Sequence, residues 1–170
     1  MKSSFNSTWL GLAAILLTSS LASGQDKKPL SPEATVSGKL GAADVKIVYC
    51  QPSARGRKML GGIEPYGKVW RTGANAATTF EISKDVTVEG KALTAGKYEL
   101  FTIPGEKEWV IIFQKYGKQW GAYGYKEEND VLRVTVPAGS TEFVETFIIS
   151  VADSKVVLKW ETTQVAFSAK

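Results

Sequence analysis

Val45-Lys46-Ile47-Val48-Tyr49-Cys50 alternates in a strict period of two, with Val45, Ile47 and Tyr49 on one face and Lys46, Val48 and Cys50 on the other. A helix would need apolar residues three and four apart, so the run reads as a half-buried strand of an antiparallel sheet. Working outward, Ala34 to Leu40 forms a partner strand, joined through the turn Gly41-Ala-Ala-Asp44. The same pattern resumes at Thr78–Ser83, Val86–Glu89, Tyr98–Ile103, Trp109–Gln114, Val131–Val136, Glu142–Val151 and Val156–Thr162, the last continuing to Phe167. Turn signals separate them, including Glu89-Gly-Lys91, Ala95-Gly-Lys97, Pro104-Gly105 and Pro137-Ala-Gly-Ser140. Gln119 to Lys126, with Trp120, Tyr123 and Tyr125 among glycines, reads as a short irregular strand or a rim loop. About nine or ten short strands at this spacing, with no amphipathic helix, indicate an all-β single-domain antiparallel β-sandwich or partly open barrel.

One interval breaks the pattern. Pro52 to Asn75 holds two prolines and five glycines, yet also Met59, Leu60, Ile63, Tyr66, Val69 and Trp70. A connection this long is functional or disordered as a rule, and the apolar side chains argue for order. The expectation is one long ordered Gly/Pro-rich loop with a short helical turn around Ile63 to Lys68.

The N-terminus is a separate segment. Lys2 precedes the apolar run Trp9 to Leu17, and Ala22-Ser-Gly24 has the small residues of a cleavage site, so residues 1–24 read as a secretory signal peptide. The apolar run is too short for a membrane span, which needs about 20 residues. Residues 25–33, polar with Pro29 and Pro32, read as a flexible leader, and residues 34–170 as the β domain. The expected location is therefore periplasmic or secreted. Cys50 is the one cysteine, so no intramolecular disulfide forms, and its place in an apolar run suggests a small buried hydrophobe.

Composition narrows the chemistry. The chain has no histidine, which removes the commonest general base and the commonest metal ligand. Neither a phosphate-binding glycine loop nor a nucleophile elbow is present, and no cofactor is expected. The net charge is +4, with acidic and basic residues interspersed, which is no nucleic-acid footprint. The local exception runs from Arg55 to Arg71, where Arg55, Arg57, Lys58, Lys68 and Arg71 face one acid, Glu64.

The run Pro65-Tyr-Gly-Lys-Val-Trp-Arg-Thr-Gly-Ala-Asn75 resembles a family of exported bacterial proteins grouped as domain of unknown function 2911. The similarity takes in Tyr49-Cys-Gln-Pro52, Arg55-Gly-Arg57, Asp85-Val-Thr-Val-Glu-Gly90, Ala95-Gly-Lys-Tyr98, Trp120-Gly-Ala-Tyr123 and Asp130-Val-Leu-Arg-Val134. The resemblance implies export and a β-rich single domain, and brings no reaction with it. Relatives often carry an acidic residue after the Asn, where this chain has Ala76.

Two readings of the loop compete. In one, Trp70 and Arg71 clamp a ligand, the indole as a stacking face and the guanidinium as a partner for a carboxylate or phosphate, with Arg55, Arg57 and Tyr66 around them and Asn75 either in contact or capping the loop. In the other, Trp70 plugs the end of the fold and Arg71 pairs with a buried acid. Trp120, flanked by polar residues and glycine, is the aromatic most suited to exposure, whereas Trp109, alternating with Ile111 and Phe113, belongs in the core. The leading expectation is a non-catalytic binding domain for a small polar or anionic ligand, a carbohydrate or an organic acid. A hydrolase or isomerase using carboxylate, Tyr or Lys chemistry is the alternative, and a structural module of the cell envelope the third; no oligomeric state is implied.

Overall fold

A computed structural model describes residues 29–170, and the expected signal peptide lies outside the described residues. The described residues form nine strands: β1 (Glu33–Leu40), β2 (Ala43–Cys50), β3 (Ala74–Ile82), β4 (Val86–Val88), β5 (Lys91–Leu93), β6 (Gly96–Ile103), β7 (Glu108–Lys115), β8 (Asp130–Ala152) and β9 (Lys155–Ser168). Seven form one antiparallel sheet in the order β1-β2-β3-β6-β7-β8-β9, and β4-β5 is a separate ribbon. The sheet curls until β1 approaches the far half of β8. Gly38 permits this approach, because a Cβ there would lie 2.8 Å from Val151 Cγ1. The result is a nearly closed, all-β domain. Among the described residues no helix is long and apolar enough to cross a membrane.

The inward face follows the alternation. Val45, Ile47 and Tyr49 are buried while Lys46 is exposed, and they meet Phe80, Leu100, Trp109, Phe113, Phe147, Leu158, Trp160 and Phe167 in one core. Cys50 is half-buried and not a core residue, because it falls on the outward face of β2 with Lys46 and Val48.

Two expectations need correction. Pro137-Ala-Gly-Ser140 is no turn: β8 passes straight through it and changes partner there. Pro137 is the last residue opposite β7, facing Glu108, and Ala138 already faces Val165 of β9. Ala138 N–H still reaches back to Lys107 O at 2.8 Å, so the missing Pro137 N–H falls on the opposite side, before β9 has begun to pair. A proline suits that position because it forfeits no ladder bond. Bulges between Ser140 and Ile148 then bend the strand around the core. The second correction concerns Ile63 to Lys68, which forms tight turns and no helix, closed by bonds such as Glu64 N to Met59 O (2.8 Å) and Gly61 N to Glu64 O (2.9 Å).

The long loop closes the domain. Trp70 bonds Thr102 in both directions (N to O 2.7 Å, and Thr102 N to Trp70 O 2.9 Å), which adds a rung beside the end of β6. The pairing turns the indole inward. It stacks on Trp160 at 5.4 Å and 15°, meets Phe147 at 5.0 Å and Trp109 at 6.1 Å edge-on, and its Nε1–H donates to Gly73 O at 3.0 Å. Truncating a buried Trp costs about 3–5 kcal/mol, a large share of the roughly 5–15 kcal/mol that holds a domain folded. Trp70→Ala should therefore lower the unfolding free energy obtained from urea titration by that amount, while Trp120→Ala, measured beside it, should change it little.

Candidate functional site

The sequence singled out the loop, and the structure disperses its residues. Trp70 is 2% exposed, so its indole offers no face to a ligand, and the stacking role is corrected: the side chain is consumed by the core. Arg55 and Arg57 serve the chain itself. The Arg55 guanidinium donates to Leu30 O, and Arg55 N–H to Glu145 Oε1 at 2.6 Å. Arg57 donates to Ala54 O at 2.9 Å and Ser53 O at 3.0 Å. With Gln51 N–H donating to Pro32 O at 2.9 Å, these bonds also tie down the described end of the expected leader.

Tyr66 is half-buried over Gly61, where a Cβ would lie 2.5 Å from the ring. It borders a cavity of about 210 Å³ with Lys58, Leu60, Phe143, Glu161, Thr162 and Thr163. Glu161 there accepts the backbone N–H groups of Met59 (2.9 Å) and Leu60 (2.8 Å), pinning the loop to β9. Arg71 is half-buried and makes no ion pair among the described residues, so the expected pairing with a buried acid is absent. Its Nε is buried without an acceptor. Burial raises the Glu64 carboxyl above its ordinary value, an effect the nearby Arg71 charge partly offsets.

Asn75 and Trp120 are brought together. Asn75 adopts φ +60°, a left-handed conformation Asn tolerates, and its carbonyl accepts Gly121 N–H at 3.0 Å. Ala76 forms a bridge with Trp120, and Ala77 N–H donates to Gln119 O at 3.0 Å. The segment from Tyr116 to Asn129 is thereby fastened along β3 and lies over the outer face of β3, β6 and β7. Beneath it is a second apolar cluster of Ala77, Phe101 and Ile112, joined by Val69, Ile103, Val110, Ala122 and Tyr125. Above it Trp120 is 70% exposed and Tyr123 98%.

Sequence reasoning missed the polar side chains under this segment. Strand register sets Thr79, Glu99, Gln114 and Asp130 opposite one another across β3, β6, β7 and β8. Asp130 Oδ2 accepts from Tyr125 Oη and Arg133 Nε, both at 2.6 Å, and Arg133 Nη2 reaches Tyr125 Oη at 2.6 Å. A signal was available: Tyr98-Glu-Leu-Phe-Thr-Ile103 and Trp109-Val-Ile-Ile-Phe-Gln114 are apolar on both faces, which marks an outer face with a cover.

The family profile described as protein of unknown function (DUF2911) matches residues 31–169, the whole of the described sheet. The chain belongs to that family. No curated protein and no solved structure matches it.

The Tyr125 phenol is pushed up to about 12 from an ordinary value of 10.0, first by burial and then by its bond to Asp130. A raised value means the fold holds that proton more tightly than the unfolded chain does. The stabilisation is complete below pH 10 and is lost as pH rises toward 12. Urea midpoints measured from pH 9 to 12 should fall more steeply for the wild type than for Tyr125→Phe, the gap between the two curves being constant below pH 10 and narrowing as pH rises toward 12.

Proposed function

We infer that this protein is an exported, non-catalytic binding domain that holds a polar ligand of the carbohydrate class against the Trp120 face. The carrying observation is that Trp120 stands 70% exposed on a segment pinned by backbone bonds to β3. An exposed indole on a mobile tip would lose entropy on binding, whereas a pinned one is pre-organised. Tyr123 adds a second exposed ring, and the exposed Asn75 amide carries both a donor and an acceptor for hydroxyl groups beside it. A flat aromatic face with a neighbouring amide suits a sugar ring, which presents C–H bonds on its faces and hydroxyls at its edge. Export rests on the signal-like residues 1–24.

Arg71 supports a second reading, an anionic ligand such as an organic acid, because its buried Nε has no acceptor and no carboxylate pairs with the guanidinium among the described residues. The two readings part in one titration. Neutral oligosaccharides and small carboxylic acids are added to the full chain while tryptophan fluorescence and melting temperature are followed. The first reading predicts that an oligosaccharide shifts Trp120 emission and raises the melting temperature, and that Trp120→Ala weakens binding at least about tenfold with the fold intact, surface substitutions costing about 0.5 kcal/mol or less. A response confined to carboxylates and lost in Arg71→Gln transfers the site to Arg71. No response to either class overturns the binding reading.

A further inference from the structure

The sheet ends on an open edge. β1 is its terminal strand, paired with β2 from Glu33–Cys50 to Leu40–Ala43 without a bulge, and no strand pairs with its other side among the described residues. The hydrogen bonds of β2 decide which backbone groups face that side. Ser83 N–H donates to Asp44 O at 3.0 Å, so the even-numbered residues of β2 serve β3. Gln51 N–H donates to Pro32 O at 2.9 Å, so the odd-numbered ones serve β1. Their partners in β1 are Ala34, Val36, Gly38 and Leu40. An antiparallel strand bonds its two neighbours through alternate residues, so the N–H and C=O groups of Glu33, Thr35, Ser37 and Lys39 point off the sheet.

β8 approaches β1 without covering this edge. Gly38 belongs to the inward-facing set of β1, and Val151 Cγ1 lies 2.8 Å from the position of its missing Cβ. The contact is therefore made beneath the strand. Ala34 and Val36, on the same inward face, pack against the core yet stay half-buried, as does Val151. A free strand edge is a template for another strand, and proteins commonly blunt it with a proline, a bulge or charges. β1 contains neither proline nor bulge, and its two charges, Glu33 and Lys39, stand at opposite ends.

Those charges select the occupant. Let a second β1 run antiparallel to the first, with the two-fold axis at Val36. Thr35 then meets Ser37 of the second copy, and Glu33 meets Lys39 of the second copy, each pair occurring twice by symmetry. All four residues are ones whose backbone groups face the edge, so hydrogen bonding and charge agree in this register. Val36 lies against its own counterpart, and the half-buried apolar row of one copy continues into that of the other. Axes at Thr35 or Ser37 satisfy the backbone equally but leave both charges without a partner across the interface. A parallel strand in register sets Glu33 against Glu33. Lys39 already bonds Asp44 of its own chain, yet it is exposed and its ammonium carries three hydrogens, enough for both carboxylates.

We propose that this protein forms an isologous dimer by edge-to-edge pairing of β1, which joins two seven-stranded sheets into one. The contact closes at two copies, because each copy has one β1 to offer. It uses strand backbone on the far side of β2 from the Trp120 segment, so it stands apart from the ligand reading and neither needs the other.

Sedimentation velocity of the full chain, from about 1 to about 500 μM, tests the proposal, since dimer population follows concentration by mass action. The expected result is a passage from monomer to dimer with no larger species. Glu33→Lys and Lys39→Glu should each weaken dimerisation at least about tenfold, because symmetry counts every changed cross-strand pair twice. The double variant restores opposite charges and should recover most of that loss. Disulfide crosslinking reports the register. In a Cys50→Ala background, Val36→Cys should give a covalent dimer on mild oxidation, since residues in a non-hydrogen-bonded pair lie about 4.5 Å apart. Thr35→Cys, whose counterpart lies diagonally at about 7–8 Å, should not. A monomer at every concentration overturns the proposal and leaves the edge to an extended segment of another protein. A dimer indifferent to both charge reversals, or one crosslinked by Thr35→Cys as readily as by Val36→Cys, overturns it as well.

Discussion

The stacking of Trp70 on Trp160, 5.4 Å apart and nearly parallel, sets the architecture around the long loop. The two residues lie 90 positions apart in the chain, and their contact requires the loop to cross the end of the sheet and drop an indole into the core. Once there, the indole must satisfy its N–H, which Gly73 O does, and its backbone must find partners, which Thr102 supplies. The loop's other polar residues then become fastenings: Arg55 and Arg57 hold carbonyls, and Glu161 holds two amides. The segment richest in reactive-looking side chains is therefore a closure for the fold.

With the loop committed to the interior, the unspent chemistry lies on the opposite surface of the same sheet. The inner face of β3, β6 and β7 packs the main core, and the outer face is also apolar at Ala77, Phe101 and Ile112. That outer patch needs a cover, and the Tyr116–Asn129 segment supplies it, bonded to β3 through Asn75 and Ala77. The cover buries a row of polar side chains and leaves Trp120 and Tyr123 in solvent.

How much of this was legible follows from how local each signal is. The strands were, because alternation in runs such as Val45 to Cys50 depends only on neighbours in sequence. The exposure of Trp120 and burial of Trp109 were also readable from their flanking residues. Pro137 misled because a proline marks a break in a ladder without saying whether the chain turns or changes partner. Trp70 was ambiguous because its burial is decided by Trp160, 90 positions away. The two-faced apolar pattern of β6 and β7 signals a covered outer face, but the polar row under the cover exists only once four strands are set in register, and Arg55 and Arg57 read as ligand contacts because sequence does not show the carbonyls they bind.

The central claim is a division of labour among the tryptophans, Trp70 inside as the plug and Trp120 outside as the face. Acrylamide quenching of fluorescence tests it directly, in a chain with Trp9 replaced by Phe so that only residues 70, 109, 120 and 160 report. The account predicts one quenchable component, which disappears in Trp120→Phe and leaves a protected emission from the other three. Strong quenching that persists in Trp120→Phe and is lost only when Trp70 is replaced would place Trp70 at the surface and contradict the account.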